Sequence, residues 1–143
     1  MARIKIQLPE HFNFSCKIPV RITDINYGGH LGNDTLLSII HEARMQYLNN
    51  MGYTEMKFEG AGMIMADVFI EFKMELFYGD VIIASLSTGE ISKIGFELYY
   101  KLEKETESGK SIVAIARTSM ICYDYDKKKI VPIPEKAVEK LKM

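Results

Sequence analysis

Several kinds of residue that mark particular protein classes are rare or missing in this sequence. Its 143 residues include no tryptophan and only two cysteines, and the formal net charge is −1, with a pI near 6.3. A nearly neutral chain has no strong positive field to collect nucleic acid, so we expect no nucleic-acid partner. No apolar run approaches the roughly 18 residues of a membrane span, and the first residues lack the apolar core of a signal peptide. These absences predict a cytoplasmic protein that binds no membrane.

The two cysteines, Cys16 and Cys122, do not form a recognisable ligand or disulfide pattern. Both lie in segments where apolar residues alternate, and neither belongs to a Cys-x-x-Cys or Cys/His spacing typical of zinc sites. This context predicts buried free thiols in a reducing compartment. We therefore predict no metal site, and no motif in the chain indicates a cofactor.

The first half of the chain predicts one strand followed by one long helix. Apolar and polar residues alternate from residue 12 to 22, and Pro19 places that strand at a sheet edge or a bulge. Asn33 or Asp34 can cap the following helix, and Gly52 provides a left-handed stop. Apolar residues between these ends cover more than one helical face, so we expect a helix that other structure encloses.

The second half of the chain predicts an antiparallel sheet. Strand patterns occupy residues 63–76, 81–88, 96–102 and 111–125, and residues 135–142 form a short amphipathic helix. Four consecutive strands joined by short turns predict an antiparallel meander. The sheet must bury its apolar face, so the pattern predicts an α+β domain of about five antiparallel strands wrapped around one central helix. The length fits a single domain over residues 1–143.

The segment from Arg21 to Asp34 carries most of the functional information. It reads Arg-Ile-Thr-Asp-Ile-Asn-Tyr-Gly-Gly-His-Leu-Gly-Asn-Asp and leads directly into the apolar helix. A polar loop, loosened by glycine, that delivers its last amides to a helix N-terminus can hold an oxygen anion. The sequence therefore predicts an anion-stabilising site at the start of the helix.

These residues resemble the loop and central helix of hotdog-fold acyl-CoA thioesterases of the 4-hydroxybenzoyl-CoA thioesterase-like superfamily. That family typically reads Asp-x-Asp-x-x-Gly-His-x-Asn-Asn, followed by a helix that closes on Glu-Ala-Arg. The matching positions in this chain, without a gap, are Asp24, Gly29, His30, Asn33, Glu42, Ala43 and Arg44. The resemblance implies the hotdog fold, an acyl-CoA substrate, and a homodimer or dimer of dimers with active sites across the subunit seam.

One departure from the family pattern bears on mechanism. The second aspartate of the motif, which is the catalytic carboxylate in that family, is Asn26 in this chain. An amide cannot take a proton at neutral pH, although it can orient a water or the thioester oxygen. The resemblance implies that the backbone amide of Asn33, seven residues beyond Asn26, is the oxyanion donor. The alternative is that the Asn33 side chain serves only as a helix cap.

The resemblance gives two candidates for the catalytic base on the helix. In another hotdog branch, similar to phenylacetyl-CoA thioesterases, the loop holds Asn or Gln and the acid lies eight residues past the amide donor. That spacing from Asn33 leads to His41, with Glu42 beside it. The two side chains point roughly 100° apart on a helix, so only one should face a thioester. The structural alternative for His41 is a histidine of the core or of an interface. The structural alternative for Glu42 is an ion pair that positions the helix.

Three further polar side chains each have a structural and a functional interpretation. Asp24 is best explained as an organiser of the loop, through bonds from backbone amides. His30 can pin the loop or contact the pantetheine arm of a substrate. Asp67 lies among apolar residues of a predicted strand, where exposure to solvent explains it most simply. At a subunit seam, Asp67 would instead contact substrate and be an alternative base.

The sequence thus predicts an acyl-CoA thioesterase, with Asn26, Asn33, His41 and Glu42 as catalytic candidates and His30 and Asp67 as substrate-binding candidates. A hotdog enoyl-CoA hydratase is one alternative, since such enzymes use an Asp-x-Asn-x-x-His dyad. Here the separation of Asp24 and His30 is longer by one residue, which misplaces the pair. A non-catalytic acyl-CoA-binding protein is the other alternative, and Asn26 favours it.

Overall fold

The computed structural model describes residues 5–143. The expectation about a signal-peptide core rests in part on residues 1–4, which lie outside the described residues. The elements, in chain order, are β1 (Phe14–Pro19), a 3-10 turn (Ile22–Asp24), α1 (Asn33–Asn50), β2 (Gly62–Phe72), β3 (Val81–Ile91), β4 (Gly95–Thr106), β5 (Gly109–Asp124), β6 (Lys129–Ile130) and α2 (Glu135–Lys142).

Five of the strands form one antiparallel sheet in the order β1-β3-β4-β5-β2, and the short β6 pairs with β5. One face of this sheet packs against α1, so the predicted α+β hotdog arrangement is confirmed. The edge position predicted from Pro19 is also confirmed, because β1 pairs only with β3 in this order. Strands β3, β4 and β5 form the predicted meander through two hairpins.

The meander prediction is wrong for β2. This strand pairs with β5 rather than with β3, and residues 73–80 cross the ends of β5 and β4 to reach β3. The crossing is held by a bond from the Leu31 amide to the Leu76 carbonyl at 2.8 Å, and the Leu76 side chain is buried. The alternation of a strand indicates which residues share a face, but it does not identify the neighbouring strand.

The two ends of α1 differ in how well the sequence predicted them. Gly52 has φ of +84°, and its amide donates to the Asn49 carbonyl at 2.9 Å, so the left-handed stop is confirmed. The prediction that Asn33 or Asp34 caps the helix is wrong. The cap position is Gly32, which has extended backbone angles and no side chain to accept a bond, so Asn33 is the first helical residue.

Helix α1 is enclosed on one face only within this chain. Its buried residues recur every three or four positions: Leu36, Ile39, Ile40, Ala43, Arg44, Tyr47 and Leu48. The opposite face leaves Leu37 38% exposed and His41 54% exposed. The expectation of burial on more than one face is therefore wrong for the single chain, because the sheet covers one side of the helix and the apolar Leu37 lies on the other.

The core lies between the sheet and α1. Its largest fully buried apolar side chains are Phe58, Ile40, Leu48, Ile82, Leu86, Leu98, Leu102, Met120 and Val113. Cys122 is buried and Cys16 is half-buried; both are free thiols, as predicted, and burial raises the pKa of each to about 11. Among residues 5–143, no helix is long and apolar enough to cross a membrane.

Candidate active site

The loop before α1 is folded tightly on itself. Ile25 and Leu31 pair as an antiparallel bridge, and between them the Asn26 amide donates to the His30 carbonyl at 2.9 Å. Gly29 turns the chain with φ of +84°, a conformation that glycine adopts at little cost. The buried Asp24 carboxylate accepts from the Arg21 amide at 2.8 Å, in agreement with its predicted role as loop organiser. The loop is therefore a rigid support for the side chains it carries.

The Asn26 side chain lies beside the start of the helix. Its Oδ1 accepts a hydrogen bond from the Gly28 amide at 2.9 Å, which orients the side chain. Its Nδ2 lies 3.7 Å from the point where a Cβ at position 32 would be. A side chain at position 32 would also meet Asp34 Oδ1 at 2.7 Å. Glycine at position 32 thus gives Asn26 close access to the first turn of α1.

Among residues 5–143, the backbone donors at the N-terminus of α1 have no hydrogen-bond partner. The first helical bond runs from the Leu36 amide to the Gly32 carbonyl at 3.1 Å, so the amides of residues 33–35 precede it. Within the described part of the chain, no side chain caps this end. First-turn amides together with the helix dipole attract negative charge. These first-turn amides are the donors on which the predicted anion-stabilising site depends.

The start of the helix opens on a cleft of about 330 Å³. One wall is formed by the loop and helix, and the other by the end of β2, the crossing segment and the start of β5. The residues around it are His30, Leu31, Asn33, Leu36, Phe72, Lys73, Met74, Glu75, Leu76 and Val113. Leu31, Leu36, Leu76 and Val113 are buried, so the floor of the cleft is apolar. His30 and Asn33 share this cleft.

His41 lies outside the cleft, in a hydrogen-bonded network. Its Nε2 is 2.6 Å from Glu55 Oε1, and Arg44 Nε donates to Glu55 Oε2 at 2.9 Å. Arg44 Nη1 also donates to the Tyr100 hydroxyl at 3.2 Å, and that hydroxyl is 2.8 Å from Thr118 Oγ1. The network runs from the exposed His41 to the buried centre of the sheet, which gives the arginine of the Glu-Ala-Arg sequence a structural role.

Sequence reasoning missed Glu55. It lies in the loop between α1 and β2, 14 residues from His41, and no motif spacing connects the two. Burial alone would raise the pKa of the Glu55 carboxyl, but the hydrogen bond with His41 and the charge of Arg44 outweigh it and lower this pKa. Glu55 is therefore ionised at neutral pH and holds both side chains.

Glu42 and Asp67 lie in two further places. Glu42 Oε2 accepts from Gln46 Nε2 at 2.8 Å and lines a separate groove of about 380 Å³ between α1 and β1, together with Lys17 and Arg21. Asp67 is exposed, as the simpler reading of the sequence predicted, and follows a bulge in the edge strand β2. The chain thus gathers Asn26, His30 and Asn33 at the start of α1 and holds His41, Glu42 and Asp67 apart from them.

Comparison with known proteins agrees with this fold and loop. A family model described as the Thioesterase-like superfamily matches residues 20–141. The match spans the loop before α1, α1, strands β2 to β6 and most of α2, and the chain belongs to this superfamily. Among residues 5–143, no group of three or more potential ligands could hold a metal ion.

Individual relatives are distant in sequence and close in fold. A provisionally assigned esterase from Aquifex aeolicus is 27% identical over 125 residues, which cover 86% of this chain and 93% of that protein. A 1,4-dihydroxy-2-naphthoyl-CoA thioesterase from Synechocystis superposes with a TM-score of 0.78 at 20% identity, covering 90% of this chain and 94% of that one. An Asp-to-Asn mutant of 4-hydroxybenzoyl-CoA thioesterase, complexed with 4-hydroxybenzoyl-CoA, superposes with a TM-score of 0.81 at 15% identity, covering 90% and 97%. The two enzymes establish the hotdog fold of this chain.

Proposed function

We propose that this protein is an acyl-CoA thioesterase, which hydrolyses the thioester of an acyl-CoA to a carboxylic acid and free CoA. The observation that carries the proposal is the uncapped start of α1, which opens with Asn33 on a cleft that has an apolar floor. Negative charge develops on the thioester oxygen as water adds to the carbonyl carbon. Fixed amide donors stabilise that charge more in the transition state than in the ground state.

Asn26 fits the role of a second donor to the same oxygen. Its Oδ1 is held by the Gly28 amide, so the two N–H groups of Nδ2 are the groups that remain for a ligand, and Nδ2 lies close to Gly32. A side-chain amide donates hydrogen bonds but does not accept a proton at neutral pH. In this proposal Asn26 orients and polarises the thioester, and the proton acceptor is another residue.

The apolar floor gives the acyl group a place to lie. With the thioester oxygen at the Asn33 amide, an acyl group directed inward contacts Leu36, Leu76 and Val113, which are buried. The polar CoA moiety then leaves through the open side of the cleft. Burial of the acyl group removes apolar surface from water and supplies binding energy.

We also propose that the functional unit is a homodimer or a dimer of dimers. Strand β2 is an 11-residue edge strand with an exposed Met65, and a long, partly apolar edge is a surface that native proteins pair or cover. In such an assembly, His41, Glu42 or Asp67 would reach a thioester only across a subunit boundary, because the single chain keeps them out of the Asn33 cleft.

The proposal is tested by removing one backbone donor. Asn33 is the first helical residue and Gly32 before it is extended, with ψ of 153°, so Asn33→Pro is compatible with the backbone and deletes the proposed N–H together with the side chain. Turnover of a panel of acyl-CoA esters, measured by released thiol, should fall about 100- to 1,000-fold in kcat, as for the loss of one oxyanion donor. Asn33→Ala keeps the N–H and serves as the matched control, with turnover close to that of the wild type.

The outcomes separate the alternatives. An equal loss of kcat in Asn33→Pro and Asn33→Ala would show that the Asn33 backbone amide does not stabilise the transition state. Water addition to crotonyl-CoA without thiol release would identify a hydratase. Saturable binding of acyl-CoA with no turnover of any ester would identify a binding protein, the alternative that Asn26 in place of an aspartate favours.

A further inference from the structure

We propose that His30 is the proton acceptor that activates the attacking water. The proposal rests on the thioester hydrolysis proposed above and gives this residue a catalytic role in addition to contact with substrate. It depends on the position of the side chain, on the tautomer that its surroundings select, and on the contacts of the other ionisable groups.

His30 occupies the same cleft as the proposed oxyanion donor. The ionisable side chains around that cleft, within residues 5–143, are His30, Lys73 and Glu75. Lys73 Nζ lies 3.5 Å from Glu71 Oε1, and an ammonium group paired with a carboxylate has no lone pair to accept a proton. His30 and Glu75 are therefore the two side chains in the cleft that can act as a base.

The loop selects the tautomer of the His30 ring that a base requires. Nδ1 lies 3.3 Å from the Leu31 carbonyl oxygen, which can only accept a hydrogen bond. In the neutral ring Nδ1 therefore carries the hydrogen, and Nε2 keeps its lone pair. Gly28 leaves room on this side, because a Cβ at position 28 would lie 3.4 Å from Nε2. The ring is thus fixed at one nitrogen and free to accept a proton at the other.

The same short loop positions the base and the oxyanion donor. His30 lies three residues before Asn33, and its carbonyl accepts from the Asn26 amide at 2.9 Å within the bridge formed by Ile25 and Leu31. A base and a donor that are held by one rigid segment keep their relative geometry without help from distant elements. Glu75, by contrast, lies on the opposite wall, in the exposed segment that follows β2.

The two candidate bases on α1, His41 and Glu42, make their contacts away from this cleft within residues 5–143. Nε2 of His41 is bonded to Glu55, and Glu42 lines the separate groove beside β1. Neither side chain borders the cleft that contains Asn33. His30 needs no second subunit to reach this cleft.

The proposed reaction uses water, the thioester and two groups of this chain, the His30 ring and the Asn33 amide. The water oxygen forms a bond to the thioester carbon while one of its protons passes to His30 Nε2, and the carbonyl oxygen becomes an oxyanion at the Asn33 amide. The oxyanion re-forms the carbonyl as the carbon–sulfur bond breaks. The proton on Nε2 passes to the departing thiolate, which leaves as the thiol of CoA, and the ring returns to its initial state.

The test compares His30→Gln with Glu75→Gln, since glutamine replaces each base with an amide that takes up no proton at neutral pH. We measure kcat and KM for thiol release between pH 5 and 9. In the wild type, kcat should fall in acid as the imidazole gains a proton. The charged groups that line the cleft with His30 are Lys73 and Glu75, on the opposite wall. His30→Gln should lower kcat by about 100- to 10,000-fold, with little change in KM, and remove the acidic fall.

A second variant separates catalysis from support of the loop. Free imidazole added to His30→Ala should restore part of the lost turnover, which a purely structural role would not allow. Wild-type turnover and an unchanged pH profile in His30→Gln would overturn the proposal, as would a loss of turnover confined to Glu75→Gln. Absence of thiol release by the wild-type protein from every ester would instead overturn the thioesterase function itself, and this assignment with it.

Discussion

Single residues in this protein are held by contacts that cross long stretches of chain. Glu55 bonds His41 through one oxygen and Arg44 through the other, and its backbone carbonyl accepts from the Met63 amide at 2.9 Å at the start of β2. Tyr100 continues the network into the core, where burial raises the pKa of its hydroxyl despite the nearby Arg44 charge, so the hydroxyl remains a neutral partner. Such a network fixes α1 on the sheet because each buried polar group needs its partner.

Stability should depend on the charge of Glu55. The pKa of its carboxyl is lower in the folded than in the unfolded chain. Its contribution to the free energy of unfolding is therefore fully present above about pH 4.3, the usual pKa of glutamate. That contribution is lost as the pH falls through the pKa of the folded chain. Glu55→Gln should lower the free energy of unfolding at pH 7 by about 1 to 3 kcal/mol, as expected for hydrogen bonds to a charged group.

Urea denaturation at pH 7 and at pH 3.5 provides the measurement. The difference between wild type and Glu55→Gln should shrink in acid, because the stability contributed by the charged carboxyl is lost progressively as the pH falls below its pKa in the unfolded chain. Glu107→Gln, in the exposed turn between β4 and β5, is the matched control and should show little change at either pH. An equal difference at both pH values would assign the effect to packing instead of charge.

At the scale of elements, the end of α1, the turn between β4 and β5 and the short helix α2 were the most predictable features. The stop of α1 at Gly52, the turn between β4 and β5 and the helix α2 all follow from local residue preferences, and the structure has them. The start of α1 was less predictable, because Asn33, Asp34 and Gly32 are all acceptable cap residues and the preferred side chains were not used. The bare cap is also the feature on which the proposed chemistry depends.

The end of α1 can be tested with two substitutions. Gly52→Ala places a Cβ on a residue with φ of +84°, which should cost about 1 to 2 kcal/mol in the free energy of unfolding. The space is not limiting, since the nearest atom to that Cβ would be Lys140 Nζ at 3.9 Å. Gly52→Asn should cost less, because asparagine tolerates the left-handed region better than alanine does. Thermal denaturation of both variants checks the order, and equal losses would point to the lost flexibility of glycine alone.

At the scale of the whole molecule, the sheet leaves β2 at its edge beside the cleft. Phe72, the last residue of β2, borders the same cleft as Asn33, so a second copy paired along this edge would lie next to the proposed active site. The proposed dimer thus connects the edge of the sheet to the chemistry, since pairing there would support the wall of the cleft.

Assembly through this edge should be sensitive to charge on β2. Met65 is 36% exposed on the edge strand β2. Because lysine on an edge strand opposes strand pairing, Met65→Lys should convert the dimer to a monomer in sedimentation-velocity experiments. Ile22→Lys is the control, because Ile22 is 68% exposed in the 3-10 turn after β1, the strand at the opposite edge of the sheet. A dimer that survives Met65→Lys unchanged would show that subunits meet at another surface.

The sequence by itself determined the kinds of element, their approximate bounds, to within about four residues, and the loop that leads into α1. These features are local: strand and helix periods, turn residues and the spacing of Asp24, His30 and Asn33 are properties of neighbouring residues. The family resemblance was carried by the same local order, which is why it predicted the site at the start of the helix.

Only the tertiary structure decided which distant residues meet. It placed β2 next to β5, brought Glu55 to His41, and set His30 and Asn33 on one cleft while it turned His41 and Glu42 away. The physical reason is that a periodic pattern states which face of an element is apolar. The choice of partner for that face depends on chain crossings, buried hydrogen bonds and packing over the whole domain.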